Sequence, residues 1–93
     1  MLNNKFEFAE AYFAFEKSLS LNPNDVETLI NKAIAEENLE MFDDAIQTLE
    51  EVLKFDQDNE DALFNLGFLY ERNEHFDNAI EIFNKALLLD PLF

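Results

Sequence analysis

A period of 34 residues runs through this 93-residue chain and limits what it can become. Phe8, Phe42 and Phe76 fall in register, as do Ala11, Ala45 and Ala79. Phe15, Leu49 and Phe83 follow, and then Leu19, Leu53 and Leu87. Between residues 26–59 and 60–93, 10 of 34 positions are identical, among them Leu29/Leu63, Asn31/Asn65 and Ile46/Ile80. A fixed period of this length marks a stack of similar units, each burying one face against the next.

Each unit reads as two helices. Leu63, Leu66, Gly67 and Tyr70 lie at i, i+3, i+4 and i+7, one helical stripe. Arg72-Asn73-Glu74-His75 interrupts it, and a second stripe runs through Phe76, Ala79, Ile80, Phe83, Ala86 and Leu87. Asp90-Pro91 and Asn22-Pro23 close their units, because proline cannot continue the hydrogen-bond ladder and disfavours helix in the residue before it. One Gly and two Pro leave few turn positions, which suits long helices better than a sandwich or barrel. The expected helices are 5–21, 25–39, 42–55, 59–73 and 76–89, in an all-α fold.

Small residues recur where helices would cross. Ala33 and Gly67 share one position of the first helix, and Ala45 and Ala79 share one of the second. Short side chains there allow close approach, with Leu66, Tyr70, Phe76 and Phe83 filling around them.

Together these residues resemble the tetratricopeptide repeat (TPR) family. The last unit carries the pattern as Leu63, Leu66, Gly67, Tyr70, Phe76, Ala79, Phe83, Ala86 and Pro91, with Leu63 in place of the usual Trp. The middle unit departs more, with Leu29, Lys32, Ala33, Glu36, Phe42, Ala45, Leu49, Val52 and Gln57. Lys32 and Glu36 stand where the family is usually apolar, so looser packing of that helix is expected. The first unit retains only its second helix, through Phe8, Ala11, Phe15, Ser18 and Pro23. The resemblance implies a right-handed superhelix of antiparallel helix pairs. It also implies one array over residues 1–93, divided into a half repeat (1–25) and two repeats (26–59 and 60–93). The function implied is a protein-interaction module without catalysis or cofactor.

Family geometry puts the first helix of each repeat on a concave face. The groove positions map to Glu27, Ile30, Asn31, Ile34, Glu37 and Asn38, and to Asp61, Phe64, Asn65, Phe68, Glu71 and Arg72. Asn31 and Asn65 could hold an extended peptide backbone, since an amide both donates and accepts; a solvated or neighbour-bonded Asn is the alternative. Ile30, Ile34, Phe64 and Phe68 would floor the groove, with Glu27, Glu37, Asp61 and Glu71 around it. That suits a protein or peptide with apolar anchors and basic flanks, unless a neighbouring repeat or subunit covers these residues. The TPR subclass that clamps a C-terminal carboxylate needs Lys or Arg and Asn donors over three consecutive repeats. Arg72 is the one Lys or Arg in this set, so a carboxylate clamp is not expected.

Repeat arrays usually finish in polar capping elements. Here Phe6, Phe8, Tyr12, Phe13 and Phe15 cover more than one face near the start. Leu87, Leu88, Leu89, Leu92 and Phe93 crowd the end, with Ile82 and Phe83 adding to that surface. Exposed patches of this kind mark interaction sites. Two accounts stand: a homo-oligomer formed through these residues, or a piece of a longer array. A structural segment that self-associates is therefore the rival to a peptide-binding scaffold.

Twenty-one acidic and six basic residues give a net charge of −15. Such a surface repels nucleic acid and anionic membranes and favours basic partners. With no Cys there is neither disulfide nor thiolate metal site, which fits a reducing, cytoplasmic setting. Glu7 and Glu10 interrupt the apolar start, against a secretory leader, and no run reaches a membrane-spanning length. The single histidine, His75, falls in a turn between Glu74 and Asp77, with no nucleophile expected beside it. The acidic run from Asp56 to Asp61 lacks the Gly and the closing Glu of a calcium loop, since its twelfth position is Gly67. It reads as an inter-repeat linker in which Asp58 or Asn59 caps the next helix.

Overall fold

The computed structural model describes residues 4–91. Five helices follow one another: α1 (Asn4–Leu21), α2 (Val26–Asn38), α3 (Phe42–Phe55), α4 (Glu60–Arg72) and α5 (Phe76–Leu89). Each packs on the next in chain order, and α2 also touches α4. This is the all-α repeat expected from the 34-residue period, with helix bounds within a residue or so of the stripes.

Two kinds of turn alternate. Between repeats, Asp25 Oδ1 accepts from the Thr28 amide at 3.4 Å and its Oδ2 from the Thr28 hydroxyl at 3.0 Å. Asn59 Oδ1 accepts from the Ala62 amide at 2.8 Å, so Asn59 rather than Asp58 is the cap. Each cap satisfies a helix-end donor that would otherwise have no partner. Within a repeat, the first helix ends in a left-handed residue, Glu40 (φ 64°) or Glu74 (φ 63°). The Met41 amide then reaches back to the Glu36 carbonyl and the His75 amide to the Tyr70 carbonyl, both at 2.8 Å. The Glu40 and Glu74 amides bond the carbonyls of Glu37 and Glu71, both at 3.0 Å. This is the Schellman arrangement, with Glu where glycine is the usual choice.

The core lies across α2, α3 and α4, in a cluster of Leu29, Ala33, Ala45, Leu49, Val52, Ala62, Leu66 and Leu69 joined by Leu19 of α1. Gly67 allows a close approach of α5 to α4. A Cβ there would stand 2.6 Å from the Phe83 ring.

Four expectations need correction. The middle repeat's first helix is not looser for carrying Glu36, which is only 2% exposed. Thr48 Oγ1 donates to Glu36 Oε1 at 2.8 Å, and Lys32 Nζ lies 4.0 Å from its other oxygen and 3.4 Å from Glu16. A hydrogen bond and a cation compensate the carboxylate's lost hydration. Burial still pushes the Glu36 carboxyl above its ordinary range, with the Thr48 bond and Lys32 opposing. Ser18, which the repeat pattern puts at a packing position, is exposed, and its neighbour Leu19 is the buried residue. Phe76 does not fill around Ala79; it is 56% exposed, because α5 turns that side outward. Ile82 and Phe83 are half-buried instead, Ile82 against the core cluster and Phe83 over Gly67.

Candidate functional site

The face formed by α2 and α4 carries the twelve expected groove residues, and they divide by environment. Ile30 is half-buried against the core and serves packing more than a groove floor. Ile34, Phe64 and Phe68 are exposed, and the two Phe rings meet edge to face with centroids 5.1 Å apart. That geometry is favoured by the ring quadrupoles. Glu27, Asn31, Asn38, Asp61 and Glu71 are exposed at the surface around them.

Two of the Asn side chains are engaged on their own helices. Asn65 Nδ2 donates to the Asp61 carbonyl and Asn38 Nδ2 to the Ile34 carbonyl, each at 2.8 Å. Each keeps its amide oxygen and one N–H for another partner. Asn31 stands exposed one turn after Glu27.

Arg72 joins the two repeats. Its guanidinium donates to Glu37 Oε2 at 2.8 Å and lies 5.5 Å from the centre of the Phe42 ring. Glu37 and Arg72 are 35 positions apart, one period plus one residue, which is the sequence signal that could have paired them. A second link, also missed, runs from the Tyr70 hydroxyl of α4 to Glu50 Oε2 of α3 at 2.7 Å. Partial burial, and then this bond, push the Tyr70 hydroxyl up to about 12. The surface is open, with no enclosed pocket among the described residues, and no group of three metal-binding side chains forms among them.

At the ends, Phe6 is 61% and Phe13 70% exposed, whereas Phe8, Tyr12 and Phe15 are half-buried. Tyr12 is occupied: Lys32 Nζ lies 5.8 Å from its ring centre, and burial with a Glu16 hydrogen bond pushes its hydroxyl up to about 12. On α5, Leu87 and Leu88 are 44% and 86% exposed, and Phe76 and Ile80 lie open beside them. Leu92 and Phe93 lie outside the described residues. Among the described residues no helix is long and apolar enough to cross a membrane.

Three family models match the chain in overlapping stretches: a tetratricopeptide repeat over residues 14–47, a TPR repeat over 39–74 and a tetratricopeptide repeat over 60–93. Comparison with curated proteins gives no match. Among solved structures, one described as the crystal structure of MamA protein is similar at 27% identity and a TM-score of 0.85, covering 97% of this chain and 49% of that one. A MamA RS-1 ArsTM double mutant gives 28% identity and a TM-score of 0.82 over 95% of this chain and 49% of that one. A MamA AMB-1 structure gives 25% and 0.84 over 90% and 49%. The chain spans about half the length of these structures. The 34-residue period, the paired helices with their small crossing residues and the three matches from residue 14 to residue 93 make this chain a member of the tetratricopeptide repeat family.

Proposed function

We propose that the chain is a protein-interaction scaffold whose exposed α2–α4 face binds a peptide or helix without covalent chemistry. The observation that carries this reading is the apolar strip of Ile34, Phe64 and Phe68, open to solvent inside an acidic border of Glu27, Asp61 and Glu71. Buried, desolvated aromatic anchors supply most of the energy of such interfaces, and the surrounding charge selects the partner. With a net charge of −15, the ligand that fits carries apolar anchors flanked by Lys or Arg. In this reading Asn31, exposed on α2, and the remaining groups of Asn65 meet its backbone.

Peptide display on the immobilised chain tests this. Selected peptides should share apolar anchors with basic flanks, and they should lose binding to a Phe64→Ala/Phe68→Ala variant that keeps its helical circular dichroism. Peptides that bind this variant as well as the parent would sink the assignment to this face.

A second reading is assembly through the ends, supported by Phe13 and Leu88 at 70% and 86% exposure. It would make the chain a structural segment that docks on copies of itself.

A further inference from the structure

A chain of polar contacts joins α1, α2 and α3. Lys32 Nζ of α2 lies 3.4 Å from Glu16 Oε2 and 5.8 Å from the centre of the Tyr12 ring, both on α1, and 4.0 Å from Glu36 Oε2 on its own helix. Glu36 Oε1 in turn accepts from the Thr48 hydroxyl of α3 at 2.8 Å. The Lys32 side chain is 17% exposed, and Glu36 is 2% exposed. One period later the places of Lys32, Glu36 and Thr48 are taken by Leu66, Tyr70 and Ile82. Leu66 is buried, and Tyr70 and Ile82 pack against the core cluster. The repeat thus accepts a largely apolar junction at these three positions.

That comparison bears on what the ionic junction is for. Well-packed apolar side chains in place of a buried ion pair commonly leave stability unchanged or raise it. Stability therefore gives no reason for Lys32 and Glu36. A buried ion pair does penalise a neighbouring helix that leaves it incompletely partnered. Such a penalty has a use here, because the units are alike, with 10 of 34 positions identical between residues 26–59 and 60–93. Similar repeats misassemble and exchange elements as they fold.

The second helices of the units are the competitors for the place on α2. Where α1 has Tyr12 and Glu16, α3 has Ile46 and Glu50, and α5 has Ile80 and Asn84. Of the three, α1 alone offers both a ring and a carboxylate. We propose that Lys32 selects α1 as the helix that packs on α2, by reading Tyr12 and Glu16 together, and so excludes the α5 of a second copy from that place. An α5-type helix would leave the ammonium with Glu36 as its one carboxylate and would set Ile80 where the Tyr12 ring lies. This role is independent of what the α2–α4 face binds.

Two changes in the 93-residue chain test it. Lys32→Met/Glu36→Gln removes both charges and keeps an acceptor for Thr48. Tyr12→Ile/Glu16→Asn gives α1 the residues of α5. Amide hydrogen exchange along α1, with α4 as the internal reference, reads how firmly α1 is docked. The α5-type change should lower α1 protection about tenfold more in the parent than in the uncharged chain. The uncharged chain should unfold in urea at or above the parent's midpoint. Glu16→Gln alone serves the same comparison where the double change unfolds the parent.

Pairing is read separately. Each chain is refolded from urea together with a tagged copy of itself, and the untagged copy retained with the tag is measured. The uncharged chain should be retained more than the parent. Equal effects of the α5-type change in the two chains mean that Lys32 does not read α1, and overturn the proposal. An uncharged chain that unfolds well below the parent's midpoint, or fails to fold, makes the ion pair a stabilising element and overturns it as well. Equal retention of the two chains overturns the exclusion of a second copy.

Discussion

Gly67 and Phe83 fit together as hydrogen and ring: a single added carbon on Gly67 would lie 2.6 Å from the Phe83 Cε1. One period earlier the same two positions hold Ala33 and Leu49, both buried in one core cluster. The methyl group gained on the first helix is matched by a smaller side chain on the second. Gly67→Ala alone should destabilise through overpacking of about 1–3 kcal/mol, reduced by the roughly 1 kcal/mol that Ala gains over Gly within a helix. Phe83→Leu alone should cost about 1–2 kcal/mol for the void it leaves. The double variant, which copies the middle repeat, should be more stable than the sum of the two changes implies. Urea unfolding of all four proteins checks this, and additive effects would mean the two positions are not coupled.

The within-repeat turns place glutamate in backbone geometry that favours glycine. Glu74 has φ 63°, and among the described residues no ion pair of its side chain offsets the strain, whereas Glu40 lies 3.7 Å from Lys5. Glu74→Gly should therefore stabilise the chain by about 0.5–1 kcal/mol, the Cβ strain relieved less the extra freedom of glycine when unfolded. Thermal unfolding followed by circular dichroism would register a higher midpoint. A lower midpoint would show that chain entropy outweighs the strain.

Much of the fold was legible because its signals are local and repeated. The stripe from Leu63 to Tyr70, the stripe from Phe76 to Leu87 and the prolines at 23 and 91 set helix bounds that the structure reproduces. The two left-handed glutamates were not legible, since nothing local in a Glu announces positive φ. Glu36 and Thr48 were each visible as polar residues within apolar stripes. Their hydrogen bond spans 12 residues and two helices, so only the register of α2 on α3 reveals it. At the candidate site, the resemblance to the family placed the twelve residues on one pair of helices. It did not separate the half-buried Ile30 from the open Phe64, because that depends on how far each neighbouring helix overhangs the face.

The Glu36 carboxyl links stability to pH. Burial raises its pKa in the folded chain above the ordinary carboxylate range. A folded-state pKa above the unfolded one means that the folded chain binds the proton more tightly. This contribution thus stabilises at acid pH and is lost as pH rises from about 4.3, the unfolded value, through the raised folded value. The groups around the carboxyl are Thr48 and Asp44 from α3, Lys32 from α2 and Glu16 from α1. Glu36→Gln keeps an acceptor for Thr48 and removes the titration. Its stability relative to the parent should grow as pH rises from 4 to neutrality and then level. Parallel denaturation curves across that range read the difference directly, and a constant offset would show that Glu36 does not titrate differently on folding.

The two readings of function separate at residues that share no contact. Phe13 on α1 and Leu88 on α5 are 70% and 86% exposed, at opposite ends of the helix order, whereas Phe64 lies on the α2–α4 face. If the ends drive assembly, the mass from light scattering should rise with concentration, and Phe13→Glu/Leu88→Glu should return it to that of a monomer. Each added carboxylate would have to be desolvated within an apolar contact, which costs several times the energy of the contact it replaces. Phe64→Ala/Asn65→Ala should leave the mass unchanged and remove only peptide binding. A parent chain that stays monomeric over the whole range removes the assembly reading. Loss of assembly on changing Phe64 and Asn65 would instead make the α2–α4 face itself the self-association surface, with a segment of a second copy as its ligand.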